Sequence, residues 1–488
     1  MKAGAIRAGL AAGLLSLGGC AALRAGDPVS LPADVPAAWS QASTPGVAAG
    51  LAQWWQRFDD TLLTQLVADA LQANTGVQGA QAALRQARAL SAVSGAGLWP
   101  QVGSAASAQT GTRGGRGSGT SFQAGLDASW EMDLFGGARA RLASSEATAS
   151  ASAARLADVQ VSLAAEVALN YITLRSAQAR LAIADANLAS QSQTLQITGW
   201  RVQAGLLSML ESEQAHAAVA QLAAARPALQ TRIAQSAHAL AVITGRPPAA
   251  LAAELSAPGR LPRAAAEPLP DPPAETLNQR PDVRAAAAQV LAAQGQVAQA
   301  DAARYPGFSL GGSLGSNAAT LGALGNGANL VTSLLARVSW PLWDGGAASA
   351  QLEAQQAGLA QASSAYRGTV LAALQEVEDT LVALRGDHER VTQLRQASAA
   401  AVNAATLARQ RHAGGLVDFQ TVLETQRSQL GAQDSLAGAE ADAASDQVRL
   451  FKALGGGWPA PADNSRPPSP THGARPAPPS TLPGPPAR

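Results

Sequence analysis

The chain has 488 residues, with 35 Lys and Arg against 34 Asp and Glu, a formal net charge of +1. A balance that close excludes a nucleic-acid binder working by overall attraction, because no positive excess is present to collect a polyanion. Charged residues make up 14% and aromatics 4%; with alanine abundant and prolines clustered, this points to long, closely packed helices rather than compact aromatic-rich cores.

From the N-terminus, Lys2 and Arg7 precede an apolar run from Ala8 to Leu17, the pattern of an export signal. About ten residues are too few for a membrane-spanning helix, which needs roughly twenty. The run leads into Leu17-Gly18-Gly19-Cys20, and Cys20 is the only cysteine, so no intramolecular disulfide can form. This stretch resembles the lipobox of bacterial lipoproteins. The resemblance implies a signal peptide over 1–19, a lipid (palmitate-type acylation) on Cys20 as the sole attached group, and a lipid-anchored extended segment over 20–58. Ala21 after the cysteine implies sorting to the outer membrane. No later stretch is apolar enough for a spanning helix, which leaves spanning by strands open.

The rest of the chain reads as a duplication. Trp99-Pro100 recurs as Tyr305-Pro306, Ser129-Trp130 as Ser339-Trp340, and Gly136-Gly137 as Gly345-Gly346. Glu166-Val167 recurs as Glu376-Val377, Leu174-Arg175 as Leu384-Arg385, and Arg201 with Gly205-Leu206 as Arg411 with Gly415-Leu416. The two copies span 59–245 and 281–458. A Pro-rich stretch, 246–280, reads as an extended linker between them, and the Pro-rich tail 459–488 reads as disordered.

Each copy orders as a helix, two strands and a long helical hairpin, with strand pairs expected within 101–134 and 306–343. Phe122, Ala124, Leu126, Ala128, Trp130, Met132 and Leu134 alternate with Ser121, Gln123, Gly125, Asp127, Ser129, Glu131 and Asp133, a strand with one apolar and one polar face. Leu330, Leu334, Val338, Trp340 and Leu342 repeat it more loosely, after a strand marked by Phe308, Leu310 and Leu314. Gly-rich stretches at 111–119 and 311–327 read as loops between paired strands. Trp130, Trp340 and Trp343 fall at strand ends, where membrane barrels carry interfacial aromatics. A soluble ribbon with one buried face remains the alternative for the strands alone.

Further on, Val167, Leu174, Leu181, Leu188, Leu195 and Val202 recur every seventh residue, a coiled-coil seam with Ala177 and Ala184 beside it. No proline interrupts residues 138–200, so one helix would run roughly 90 Å. Four two-faced strands cannot close alone, since membrane barrels take about eight or more and open edges are not tolerated in lipid. Closure therefore requires either two copies with eight strands or three with twelve. A coiled-coil spacer lipoprotein is the competing reading, and it leaves the two-faced strands unexplained.

Several motifs carry a more specific likeness. Trp54-Trp55 with Phe58-Asp59, Leu62-Leu63, Leu66, Ala70-Leu71 and Asn74 resembles the opening of the outer-membrane efflux protein family (TolC/NodT type). Trp130 to Gly136 and Pro341 to Gly346 resemble its strand-to-helix junctions, and Arg280-Pro281-Asp282-Val283-Arg284 the start of its second repeat. Asp60 replaces the usual proline after Asp59, and alanine an acidic residue after the Arg-Pro-Asp signature. The resemblance implies a mainly α fold with membrane β structure: helical hairpins forming an α-barrel, and four strands per chain in a trimeric twelve-stranded β-barrel. It implies a homotrimer in outer-membrane lipid, partnered by a periplasmic adaptor and an inner-membrane pump of RND type, passively conducting small molecules such as drugs. The hairpin turns, Ala204 to Ser208 and Gly414 to Asp418, would then be the periplasmic tips, with Gly205, Leu206, Ser208, Gly415 and Leu416 docking the adaptor. Asp418 and Glu424 would gate the pore, and Arg201 and Arg411 would tether it by ion pairs.

Catalytic readings find no support. His216, His238, His388, His412 and His472 have no metal-ligand spacing, and Lys2 and Lys452, the only lysines, lie outside any phosphate loop. Gly307-Phe308-Ser309-Leu310-Gly311 and Gly311-Gly312-Ser313-Leu314-Gly315 match GxSxG in letters but fall in the stretch read as strand and Gly-rich loop, not a nucleophile elbow, and no GxGxxG motif occurs, so no cofactor, metal or nucleic-acid partner is expected.

Overall fold

A computed structural model describes residues 36, 39, 53–113, 116–263 and 274–456, with the side chains of 112–118 and 274–276 outside the description. The expected signal peptide, Cys20 and the tail 459–488 lie outside the described residues.

The first repeat runs α1 (Thr61–Ala73), α2 (Thr75–Ala96), β1 (Gln101–Arg113), β2 (Arg116–Met132), α3 (Gly137–Gln203) and α4 (Met209–Ile243). After a short helix, α5 (Ala252–Ser256), the second runs α6 (Pro281–Ala302), β3 (Gly307–Ala318), β4 (Leu330–Ser339), α7 (Ala347–Ala413) and α8 (Phe419–Ala453). The duplication holds to the residue: α2 and α6 have 22 residues each, α3 and α7 have 67, and α4 and α8 have 35. At 1.5 Å per residue the long arms reach about 100 Å. Each begins at a left-handed glycine, Gly136 (φ 81°) and Gly346 (φ 91°). The equivalent glycines are thus one position from the paired-glycine alignment expected from sequence.

Because α4 and α8 are half the length of their partners, each ends midway along a long arm, and α2 and α6 pack on the remainder. The main core sits at that waist. Leu163, Val167, Tyr171 and Leu174 of α3, Leu240 of α4, Val283 of α6, Val370 and Val377 of α7 and Val448 and Phe451 of α8 are buried together. Trp54, fully buried, stacks on Phe451 at 5.2 Å and ties the segment before α1 to the end of α8. Asp60, at the position where the family pattern has proline, accepts from Leu63 N at 3.0 Å and caps α1. Its other oxygen accepts from the Tyr171 hydroxyl at 2.9 Å. Burial pushes that phenol up to about 12.

Small residues set the spacing of α3 against α6. A Cβ on Gly295 would lie 2.8 Å from Ser144 Cβ and 3.0 Å from Ala140 O, and Ser144 Oγ donates to Ala292 O at 2.8 Å. The alanine-rich composition therefore serves close backbone approach.

Two expectations need correction. The heptad seam is apolar only at the waist: Val167 and Leu174 are fully buried, whereas Leu181, Leu188 and Leu195 are half-buried. Toward the tip the buried line runs through Asn187, Gln191 and Thr198 instead, with Asn187 Nδ2 donating to Gln433 at 2.9 Å and Gln426 Nε2 to Thr194 at 3.3 Å. The linker is also not wholly extended. Leu251 and Leu255 around α5 and Leu277 in a 3-10 turn (Ala274–Gln279) join the core, and Arg175 Nη1 donates to Ala257 O at 2.8 Å.

Candidate functional site: an open-edged sheet and two hairpin tips

The strands form one antiparallel sheet in the order β1-β2-β3-β4, so the repeats are joined edge to edge through β2 and β3. The register aligns the two faces across all four strands. Val102, Ala128, Leu126, Phe122 and Trp130 share a face with Leu310, Leu314, Leu334 and Val338, while Gln101, Ser129, Asp127, Gln123 and Glu131 share the other with Ser309, Ser313, Asn317 and Arg337. Ala105, Val331 and Leu335 are the apolar exceptions on the polar face. Among the described residues the outer edges of β1 and β4 pair with nothing, and β4 is exposed along all ten residues. No described helix is long and apolar enough to cross a membrane.

The Gly-rich stretches are not the loops expected from sequence. Gly111 pairs with Gly119 in the β1–β2 ladder, and Gly311, Gly312 and Gly315 lie inside β3. Of the second stretch, only the later part, with 3-10 turns at Leu321–Gly325 and Gly327–Asn329, lies between strands. Gly125 faces Gly315 where the repeats join, and a Cβ on Gly125 would stand 3.1 Å from Gly315 Cα. The glycine pair thus permits a backbone approach that alanine would crowd.

At the strand ends, the two repeats use the same aromatic device. The Trp130 indole N–H donates to Leu98 O at 3.0 Å, just beyond α2, and that of Trp340 to Arg304 O at 3.2 Å, just beyond α6. Trp130 lies two residues inside the end of β2, Trp340 follows β4 directly, and Trp343 is 89% exposed. Phe135 stacks on Tyr305 at 4.9 Å, joining the two repeats at the same level. Sequence reading missed that pair, although Phe135 sits in the first junction motif and Tyr305 in the Tyr305-Pro306 repeat. A polar handle on an apolar body suits an interface between hydrocarbon and water.

Below the sheet, carboxylates organise the strand-to-helix junctions. Asp133 accepts from Ala138 N and Arg139 N and pairs with the Arg139 guanidinium at 2.8 Å. Burial alone would raise its carboxyl, but these donors outweigh it and hold it below the usual carboxylate range. Asp344 accepts from Gly346 N and Ala348 N, which likewise lowers it. At the waist, Arg280 bonds Asp282 and Glu376 at 2.8 Å each and reaches Ala453 O. The Arg-Pro-Asp signature therefore fastens the start of α6 to α7 and to the end of α8.

The two hairpin tips share one construction. Leu206 N donates to Arg201 O and Gly205 N to Val202 O; Leu416 N donates to Arg411 O and Gly415 N to His412 O. These paired bonds close a long helix around a left-handed glycine, Gly205 (φ 70°) and Gly415 (φ 73°). Leu206 and Leu416 are left 72% and 77% exposed. Each following helix is then capped: Ser208 N donates to Glu211 at 2.7 Å, and Asp418 accepts from Thr421 N at 2.8 Å and from the Thr421 hydroxyl. The Thr421 hydroxyl and N–H hold the Asp418 carboxyl below its usual range. That capping role was readable in Asp418-Phe419-Gln420-Thr421. Glu424 is exposed one turn further along α8.

The hairpins also contact each other. Phe419 and Leu423 pack with Ala215 and Ala218 of α4, with Leu195 of α3 beside them. Arg201 does not tether the tip by an ion pair: its Nη1 meets His412 Nε2 at 3.1 Å, and His412 Nδ1 meets Val417 O at 3.1 Å. Because arginine only donates, the ring accepts at Nε2 and carries its proton on Nδ1. Arg411 is exposed, and its backbone carbonyl is the part engaged in the turn. Among the described residues no group of His, Cys, Asp and Glu is arranged to hold a metal ion.

Residues 66–246 and 273–456 match the model of a family described as outer membrane efflux protein. The pyoverdine export outer membrane protein OpmQ of Pseudomonas putida is 33% identical over 442 residues, covering 87% of this chain and 92% of that protein. Nodulation protein T of Rhizobium leguminosarum bv. viciae is 31% identical over 409 residues, covering 84% and 85%. The solved outer-membrane channel OprN superposes with a TM-score of 0.81 at 34% identity, over 89% of this chain and 100% of that one.

Proposed function

The chain belongs to the outer membrane efflux protein family and is an outer-membrane efflux channel, and we propose that three copies close into one passive duct. The observation that carries this reading is the sheet: four strands with two free edges and opposite faces, fused to helices about 100 Å long. Pairing β4 of one copy with β1 of the next removes every edge after a whole number of copies. Three copies give twelve strands. The apolar face then meets lipid, the polar face encloses water, and the long helices carry the tube into the periplasm.

In this reading a lipid on Cys20 anchors each copy in the outer membrane. Leu206 and Leu416, held outward by their glycine turns, meet a periplasmic adaptor, with Gly205, Ser208 and Gly415 shaping that surface. An inner-membrane pump of RND type supplies the energy, and the cargo is small molecules such as drugs; the chain performs no catalytic step of its own. Asp418 and Glu424 act at the narrow end. Three copies of each would ring the axis, favour cations and resist closure by mutual repulsion.

Recording single-channel currents from purified protein in a planar bilayer tests the duct. Stepwise conductance is expected. Incorporated protein that passes no current, even after the tip is loosened by Arg201→Ala, would contradict it.

A further inference from the structure

The described side chains of the four strands include three charges, Asp127, Glu131 and Arg337, and the register sets all three on the polar face. Glu131 pairs with Ser309, which pairs with Arg337, so an acid and a base share one row with a single strand between them. At about 4.8 Å per strand, their backbones stand roughly 10 Å apart. No ion pair joins them, and both are exposed. Four residues further along β2, about 13 Å toward the outer end, the row is Gly103, Asp127, Ser313 and Ser333. That row has no base. A Cβ on Gly103 would come within 3.2 Å of both Asp127 carboxylate oxygens, so the carboxylate lies over β1 where only glycine leaves it room.

Resting on the duct reading above, we infer that these residues sort cargo by charge inside the barrel. Asp127 makes an acidic ring that favours cationic cargo, and Glu131 with Arg337 makes a compensated ring nearer the helices. Among the described side chains, the rest of that face is serine, glutamine, asparagine and glycine with Ala105, Val331 and Leu335, none of which adds a competing charge. Low-dielectric walls focus the field of such rings into the lumen. The Debye length, about 10 Å at 0.1 M salt, lets each ring act on its own row and weakly on the next.

Cysteine reporters in the two rows test this in the full-length protein in outer membranes. Ser313→Cys reports on Asp127, and Ser309→Cys on Glu131 and Arg337. Each is reacted from outside with a membrane-impermeant cationic and an anionic methanethiosulfonate, and the unsubstituted protein controls for Cys20. Adding Asp127→Asn is expected to lower the cation-to-anion rate ratio at Ser313→Cys roughly fourfold at 0.1 M salt, and hardly at all at 1 M. At Ser309→Cys, Glu131→Gln lowers the ratio and Arg337→Gln raises it. Ser333→Cys serves as the outer-row reporter if Ser313→Cys does not assemble. Reactive cysteines whose ratios ignore these substitutions would overturn the inference and leave the duct standing. Cysteines in both rows that neither reagent reaches would mean an unwetted face, overturning the inference and the duct together.

Discussion

At the scale of single residues, the clearest lesson is that one side chain can hold a structural post at a position read as functional. Asp418 was singled out as a gate, and its carboxylate caps α8 through Thr421. Its folded value is depressed, so its stabilising contribution is complete above the unfolded carboxylate range, near 3.9, and is lost only as pH falls through the lower folded value. Within one chain the Asp418 cap is therefore expected to persist between pH 8 and 5, and hydrogen-exchange protection of the first turn of α8 should not change over that window. Asp418→Asn keeps a capping oxygen and removes the charge. The account expects reduced cation preference with an unchanged unfolding temperature; a large drop in that temperature would make the cap, not the charge, the reason for the residue. Arg280 is the opposite case, since it was quoted only as part of a motif and turns out to be a buried anchor. Arg280→Ala should destabilise the waist by about 3 kcal/mol, because Asp282 loses its partner while half-buried. Thermal unfolding in detergent measures it. Nothing local marks Arg280 as buried, as its partner Glu376 lies 96 positions away.

At the scale of elements, legibility followed periodicity. The alternation in β2 and the long proline-free stretch are strong local patterns, and both elements stand where those patterns put them. Glycine misled in the strands because a turn and a close strand pairing use the same residue. Only the partner strand, with Gly315 against Gly125, distinguishes them. The heptad misled toward the tip because leucine spacing says nothing about which neighbour arrives, and polar residues of α8 take that side of α3. Two substitutions test the packing that was not legible. Gly295→Val should push α6 from α3 and cost about 1–3 kcal/mol by overpacking, seen as a lower unfolding temperature, whereas an unchanged temperature would show the crossing to be loose. Gly415→Ala meets no atom within 4 Å, so its cost is purely the left-handed backbone, about 1 kcal/mol. Gly415→Asn should recover part of it.

At the scale of the whole molecule, the single chain is unfinished in a specific way. Its helices bury a core at the waist and its tips are closed by their own hydrogen bonds, but among the described residues its sheet ends at two bare edges. Adaptor contact belongs to this scale too. Leu206→Asp with Leu416→Asp should leave assembly intact and abolish resistance in a strain that depends on this channel, and full resistance would remove the tips from the docking surface. The central claim is closure by three copies, and the native mass of the detergent-purified protein tests it most directly. The account predicts a particle of three chains. A stable monomer would leave β1 and β4 unpaired in lipid and contradict it, and a dimer would replace twelve strands with eight.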